Sequence, residues 1–181
     1  MDRREFIKKA GLGSAVLASA PILAESLATP ALANDEEDIT KFRCTVVSHS
    51  TTSTDLLAFN GNGRFGASSV RGNGAFVHWT PIGSAPFPIV ATGFWKADEL
   101  ISFESNGTYG TFESGILEMT IDLMPTSGPK ISAPCKVVCN VAPGGLFTGL
   151  EEGVTLELPG LEFEPLSPAV GLTIFVPVID D

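Results

Sequence analysis

Three observations predict an all-β domain, an antiparallel β-barrel or β-sandwich of about eight to ten short strands. Apolar residues alternate with polar ones repeatedly through residues 42–181, and no stretch there carries a helical period. Turn chemistry rich in Gly and Pro interrupts that alternation every eight to twelve residues. No interior linker or repeat divides the segment, so one domain accounts for it.

Phe42, Cys44 and Val46 alternate with Arg43, Thr45 and Val47 on a first strand. A Ser/Thr-rich piece, 48–54, leads to Leu56-Leu57-Ala58-Phe59, after which Asn60-Gly61-Asn62-Gly63 is expected to turn the chain. The runs 65–71 and 75–80 then flank a second expected turn, Gly72-Asn73-Gly74. Residues 81–88 hold three prolines, which lack the ladder donor, and read as a loop. Strands follow at 89–96 and 100–105. Asn106-Gly107 supplies the positive-φ pair of a tight hairpin before 108–113.

Leu117, Met119, Ile121 and Leu123 alternate with Glu118, Thr120 and Asp122, the pattern of a half-buried strand. A turn at 125–129 returns the chain to Ile131, Ala133, Cys135, Val137 and Cys139 on one face. Val154, Leu156 and Leu158 make another strand, and Leu172, Ile174 and Val176 a last one. The expected interior is Leu117, Met119, Ile121, Ile131, Val137, Leu156, Leu158 and Ile174.

The first 33 residues have a different character. Arg3-Arg4 precedes Glu5, Phe6, Ile7 and Lys8, an apolar run covers 10–23, and Ala31-Leu32-Ala33 stands before an acidic patch. These residues resemble a twin-arginine translocation (Tat) signal of bacteria and archaea, with Asp2 where that family usually has Ser or Thr. The resemblance implies export in the folded state through the Tat translocase to the periplasm or beyond. Cleavage is expected before Asn34, and residues 34–41 form an acidic flexible leader. The apolar run is shorter than the roughly 20 residues of a permanent span, and no Cys follows it closely to take a lipid.

Taking 33 residues from 181 leaves 148, one domain's length. Four of the 11 bases and three of the 21 acids lie in the leader, so the remainder holds seven bases against 18 acids. Such a balance repels phosphate backbones, and along the chain the seven bases form no cluster. Nucleic acid and anionic membranes are therefore not expected partners.

Several motifs can be set aside on local grounds. Gly61-Asn62-Gly63-Arg64-Phe65-Gly66 spells G-x-G-x-x-G, but a dinucleotide site needs a helix N-terminus directly after it, and strand follows here. Ser127-Gly128-Pro129-Lys130 has Gly and Pro where a Ser–Lys pair would need a helical turn, and Val70 spoils an elbow at Ser68. Ser48 and Ser50 neighbour His49, but adjacent strand residues face opposite ways. No metal-ligand spacing appears, and Cys139 is followed by Asn140-Val141-Ala142-Pro143 rather than copper ligands. Neither a metal nor a cofactor is expected.

Cys44, Cys135 and Cys139 permit a disulfide from Cys44 to either later cysteine. The two later ones lie about 13 Å apart along a strand, too far to join. Gly93-Phe94-Trp95 is similar to the G-x-W of lipocalins, but that motif belongs to a first strand and only 86 residues follow Trp95. Asn106-Gly107-Thr108 fits the glycosylation pattern as well as a turn.

Two function classes remain. The first is an exported, non-catalytic binding or surface module for a small apolar or sugar-like ligand or a protein partner, with Trp79, Trp95 and Tyr109 as candidate contacts. The second is a barrel enzyme, an isomerase, cyclase or hydrolase, using interior carboxylates and one His. Its candidates are His78, Glu104 and Asp122, with Glu113 and Glu118 behind them.

Overall fold

The computed structural model describes residues 39–83, 85–141 and 148–178. The expected twin-arginine leader, its expected cleavage point and residues 34–38 of the expected acidic leader lie outside the described residues. Alternation has produced strands β1 (Thr40–Ser50), β2 (Leu56–Phe65), β3 (Val70–Trp79), β4 (Ile89–Tyr109), β5 (Phe112–Pro125), β6 (Ile131–Cys139), β7 (Gly153–Leu158) and β8 (Leu161–Pro177). Each pairs antiparallel with the next and β8 returns to β1, so the sheet closes into a barrel rather than splitting into a sandwich. Closure pairs each described strand on both sides over part of its length, while β4 beyond Lys96 is paired with β5 alone.

An eight-stranded barrel has room inside for its own side chains and little else. Phe42, Cys44 and Val46 of β1 point inward with Leu57 and Phe59 of β2, Leu117, Met119 and Ile121 of β5, Cys135 and Val137 of β6, and Val154 and Leu156 of β7. The expected interior holds at Leu117, Met119, Ile121, Val137 and Leu156, while Ile131 and Leu158 pack at its margin. It fails on β8. Thr173 and Phe175 face inward there, and Ile174 lies half-buried on the outer side. Choosing the inner face by hydrophobicity misplaces this strand because Thr173 satisfies its hydroxyl internally, donating to the Val138 carbonyl.

The two glycine clusters are not turns. Gly61 pairs with Gly74 and Gly63 with Gly72 in the middle of β2 and β3, and none of the four has positive φ. Their role is space. A Cβ on Gly61 would enter the Trp95 indole, one on Gly74 would stand 2.5 Å from Trp95 Nε1, and those on Gly63 and Gly72 would stand 2.5 and 2.8 Å from the Phe42 ring. Trp95 has no exposed surface, stacks on Phe59 at 4.9 Å between centroids, and donates from Nε1 to the Asn60 carbonyl at 2.8 Å. Glycine on two adjacent strands thus makes the bay in which the barrel's largest side chain sits.

The turn between β2 and β3 falls instead at Gly66–Ser69, closed by Gly66 N–H to Ser69 O at 3.0 Å. Asn106-Gly107 likewise lies within β4, at a register shift where Gly107 takes φ +107°. The hairpin turns at Gly110, φ +66°, so the strands expected at 89–96, 100–105 and the start of 108–113 are one long β4. The far part of β4 curls over one end of the barrel, where Phe103 meets Phe65 at 4.5 Å and Phe175 at 5.5 Å. That end is plugged by aromatic rings.

Candidate functional site

The opposite end of the barrel gathers polar side chains. Ser48, Leu57 and His78 are successive partners across β1, β2 and β3, and all three are buried. Just beyond β2 and β3 stand Asp55 and Thr80, brought together by the same register. Thr80 Oγ1 donates to Asp55 Oδ1 at 2.6 Å, and His78 Nε2 lies 3.2 Å from Asp55 Oδ2. The second is a close approach without a hydrogen bond, since Nε2 is not aligned for one. The His78 ring stands edge-on to Phe163 at 5.2 Å. The Thr80 hydroxyl holds the Asp55 carboxyl below its ordinary range, with His78 and Ser53 adding to this and partial burial opposing it.

What this group can do is limited by its neighbours. Ser50 Oγ accepts the N–H groups of Thr52 and Ser53 at 3.2 and 3.1 Å, the geometry of a serine turn. Ser48 Oγ donates to the Val154 carbonyl at 2.6 Å. Both hydroxyls face the interior while His49 faces out, its Nδ1 3.1 Å from the Ser50 carbonyl. The expected separation of these serines from His49 is therefore seen.

A buried carboxylate occupies the plugged end. Glu113 accepts from Ser105 Oγ at 2.6 Å and from Thr40 Oγ1 at 3.3 Å. Thr40 and Ser50 stand ten positions apart on β1, roughly 33 Å at strand rise, so the two polar centres cannot act on one small substrate.

The residues proposed from sequence do not assemble. His78 is inside, Glu104 is exposed on the outer strand, and Asp122 faces outward in an ion pair with Lys130 at 2.9 Å. Glu118 is also outside, 3.1 Å from Lys136. Trp95 is core and three strands removed from the position of the lipocalin motif. Trp79 is half-buried at the end of β3, and Tyr109 lies by the hairpin tip, donating to the Asn106 carbonyl. The three cysteines are free thiols, so neither Cys44–Cys135 nor Cys44–Cys139 is bridged. Burial pushes Cys44 up to about 12 and raises Cys135 and Cys139 also.

Two surface features escaped the sequence reading. The first is apolar. At the start of β4 a register shift sets Ile89 opposite Trp79 and leaves Val90 as the extra residue, and both side chains are exposed. Phe94 and its cross-strand partner Met124 continue the patch, and Ile82 and Phe87 border it.

The second is charged, and it corrects the expectation that the bases form no cluster. Lys41 pairs with Arg64 and Arg64 with Arg71, while Arg43 lies in the next row with Asn62, Asn73 and Lys96. Alternation places all these side chains outside. Bases 55 positions apart in the chain thus share one face.

A shallow outer depression of about 190 Å³ lies between Ile101, Glu118, Pro134, Lys136 and Glu157. Among the described residues no three His, Cys, Asp or Glu side chains converge as a metal site would require. No protein-family model, curated protein or solved structure matches this chain.

Proposed function

We propose that this chain is a Tat-exported, extracytoplasmic barrel that serves as a non-catalytic binding or surface module, engaging a small apolar or sugar-like ligand or a protein partner on its outside. One contrast carries the reading. The barrel interior is occupied by its own side chains, Trp95 and Phe59 foremost, whereas Ile89, Val90, Phe94 and Met124 stand exposed on the outer wall. Apolar surface left in contiguous patches is typical of interaction sites. The buried Ser48, Ser50, Glu113 and Thr173 are meanwhile engaged in hydrogen bonds to the strands and loops around them.

Binding is tested by thermal shift and Trp fluorescence of the processed protein against panels of oligosaccharides and apolar ligands. Phe94→Asp should abolish any shift found for the apolar set and leave the fold intact.

The alternative, a barrel enzyme, is supported by one observation, the buried His78 beside Asp55 at the polar end. Panels of chromogenic ester and glycoside substrates decide between them. Turnover that His78→Asn removes while the protein stays folded would end the non-catalytic reading.

A further inference from the structure

We infer that the barrel associates head to tail with further copies of itself, the basic outer face of β1–β4 meeting the acidic β7–β8 end of its neighbour. This rests on the reading of the barrel as a scaffold that works through its outer surface. It names the partner for one part of that surface.

Charge is sorted by strand. β1, β2 and β3 carry Lys41, Arg43, Arg64 and Arg71 and contain no Asp or Glu, although the whole chain has 21 acids against 11 bases. Lys96 extends the face onto β4 as the partner of Asn73, and the face ends there, since Asp122 of β5 opposes Lys96 on its other side. β7 and β8 are the converse, with Glu157, Glu162 and Glu164 and no Lys or Arg. Glu157 and Glu162 are directly paired, and Glu164 lies beside them, opposite His49 of β1.

Like charges at directly opposed strand positions carry an electrostatic cost. The fold bears that cost at both places, in Lys41–Arg64–Arg71 and in Glu157–Glu162. Arg64 and Arg71 are half-buried and hold contacts of their own. They add charge to the face, and the exposed Lys41, Arg43 and Lys96 are the groups that can reach a partner.

A second copy suits both patches because it brings the opposite charge to each. A long polyanion suits only one, and a chain of net charge −10 repels it as a whole. At physiological salt the screening length of about 8 Å confines attraction to the patches themselves, so copies with the same net charge can still dock. The basic rows lie toward the Thr40 end of β1 and the acidic pair beyond its Ser50 end. The two patches are distinct, so the contact is heterologous, building a ring if the rotation closes and a filament if it does not.

Sedimentation velocity of the processed chain at low and high salt tests this. Association is expected at about 50 mM NaCl and should weaken about tenfold or more at 500 mM. Lys41→Glu/Arg43→Glu and Glu157→Lys/Glu164→Lys should each be monomeric, and an equimolar mixture of the two should associate again. Lys41→Arg/Arg43→Lys should behave as the unaltered chain, and circular dichroism checks that every variant is folded.

Residues 34–38 are acidic, so a chain beginning at Ile39 is measured alongside as a control. A monomer in both forms at all salts overturns the proposal, as does association that the charge reversals leave unchanged. A monomer that binds polygalacturonate through Lys41 and Arg43 overturns it in favour of an anionic ligand. Any of these leaves the binding-module reading standing, whereas turnover dependent on His78 would remove that reading and leave association untouched.

Discussion

If Gly61 and Gly74 exist to make room for Trp95, the cost of enlarging one should depend on the presence of the other partner. Trp95→Ala removes a side chain with no exposed surface, its stacking on Phe59, and the donor to the Asn60 carbonyl. Comparable truncations cost about 3–5 kcal/mol, and the orphaned carbonyl places this one toward the upper end. Against a total of roughly 5–15 kcal/mol, the variant should be folded but marginal, its Tm lower by about 10 °C or more.

Gly61→Ala inserts a methyl group into the indole and should cost about 1–3 kcal/mol. In the double variant the methyl enters the vacated space. Some of its cost persists, because the Asn73 carbonyl also lies 2.5 Å from that Cβ. Urea denaturation of all four proteins should therefore show a coupling of about 1–2 kcal/mol, the double variant being more stable than the two single losses combined. A turn glycine would lose the same stability whether or not Trp95 is there. Additivity within about 0.5 kcal/mol would refute the bay around Trp95.

Thr80→Val removes the main group that holds Asp55 ionised and should cost about 1 kcal/mol at pH 7. Because the folded pKa lies below the unfolded value of 3.8, this stability is full above that value and is lost as pH falls through the folded pKa. Urea midpoints of the two proteins should converge as pH falls below 3.8, and a difference constant from pH 7 down to strongly acidic pH would contradict the assignment. Thiol titration with Ellman's reagent at pH 8 should label none of the three cysteines in the folded protein and all three in denaturant, since burial suppresses the thiolate. Replacing Arg3-Arg4 by Lys-Lys should leave unprocessed precursor in the cytoplasmic fraction, and normal export of that variant would remove the Tat assignment.

The candidate site was only partly legible in the chain. His78 could be named because so few groups of its kind are present, but Asp55 stood in a Ser/Thr-rich stretch with no local sign of its role. Strand register alone carries Asp55 and Thr80, 25 positions apart, to 2.6 Å. Glu104 and Asp122 were chosen as acids on strands, and alternation cannot say which of two faces of an amphipathic strand holds a useful carboxylate. The bases failed for a similar reason. Lys41, Arg64, Arg71 and Lys96 are scattered in sequence and adjacent only once β1 to β4 are laid side by side.

By itself the sequence determined what depends on neighbours one or two positions away. The pleat turns successive side chains to opposite faces, so the rhythm of Leu117 to Leu123 and of Ile131 to Cys139 was enough to predict strands and their inner residues. Tertiary structure decided what depends on neighbours far along the chain. A glycine serves a turn or a close approach equally well, and for Gly61 the choice was made by Trp95, 34 positions later. Closure into a barrel, the inward turn of Thr173 and the grouping of charge on opposite ends are likewise properties of register, which is fixed when strands pair and not before.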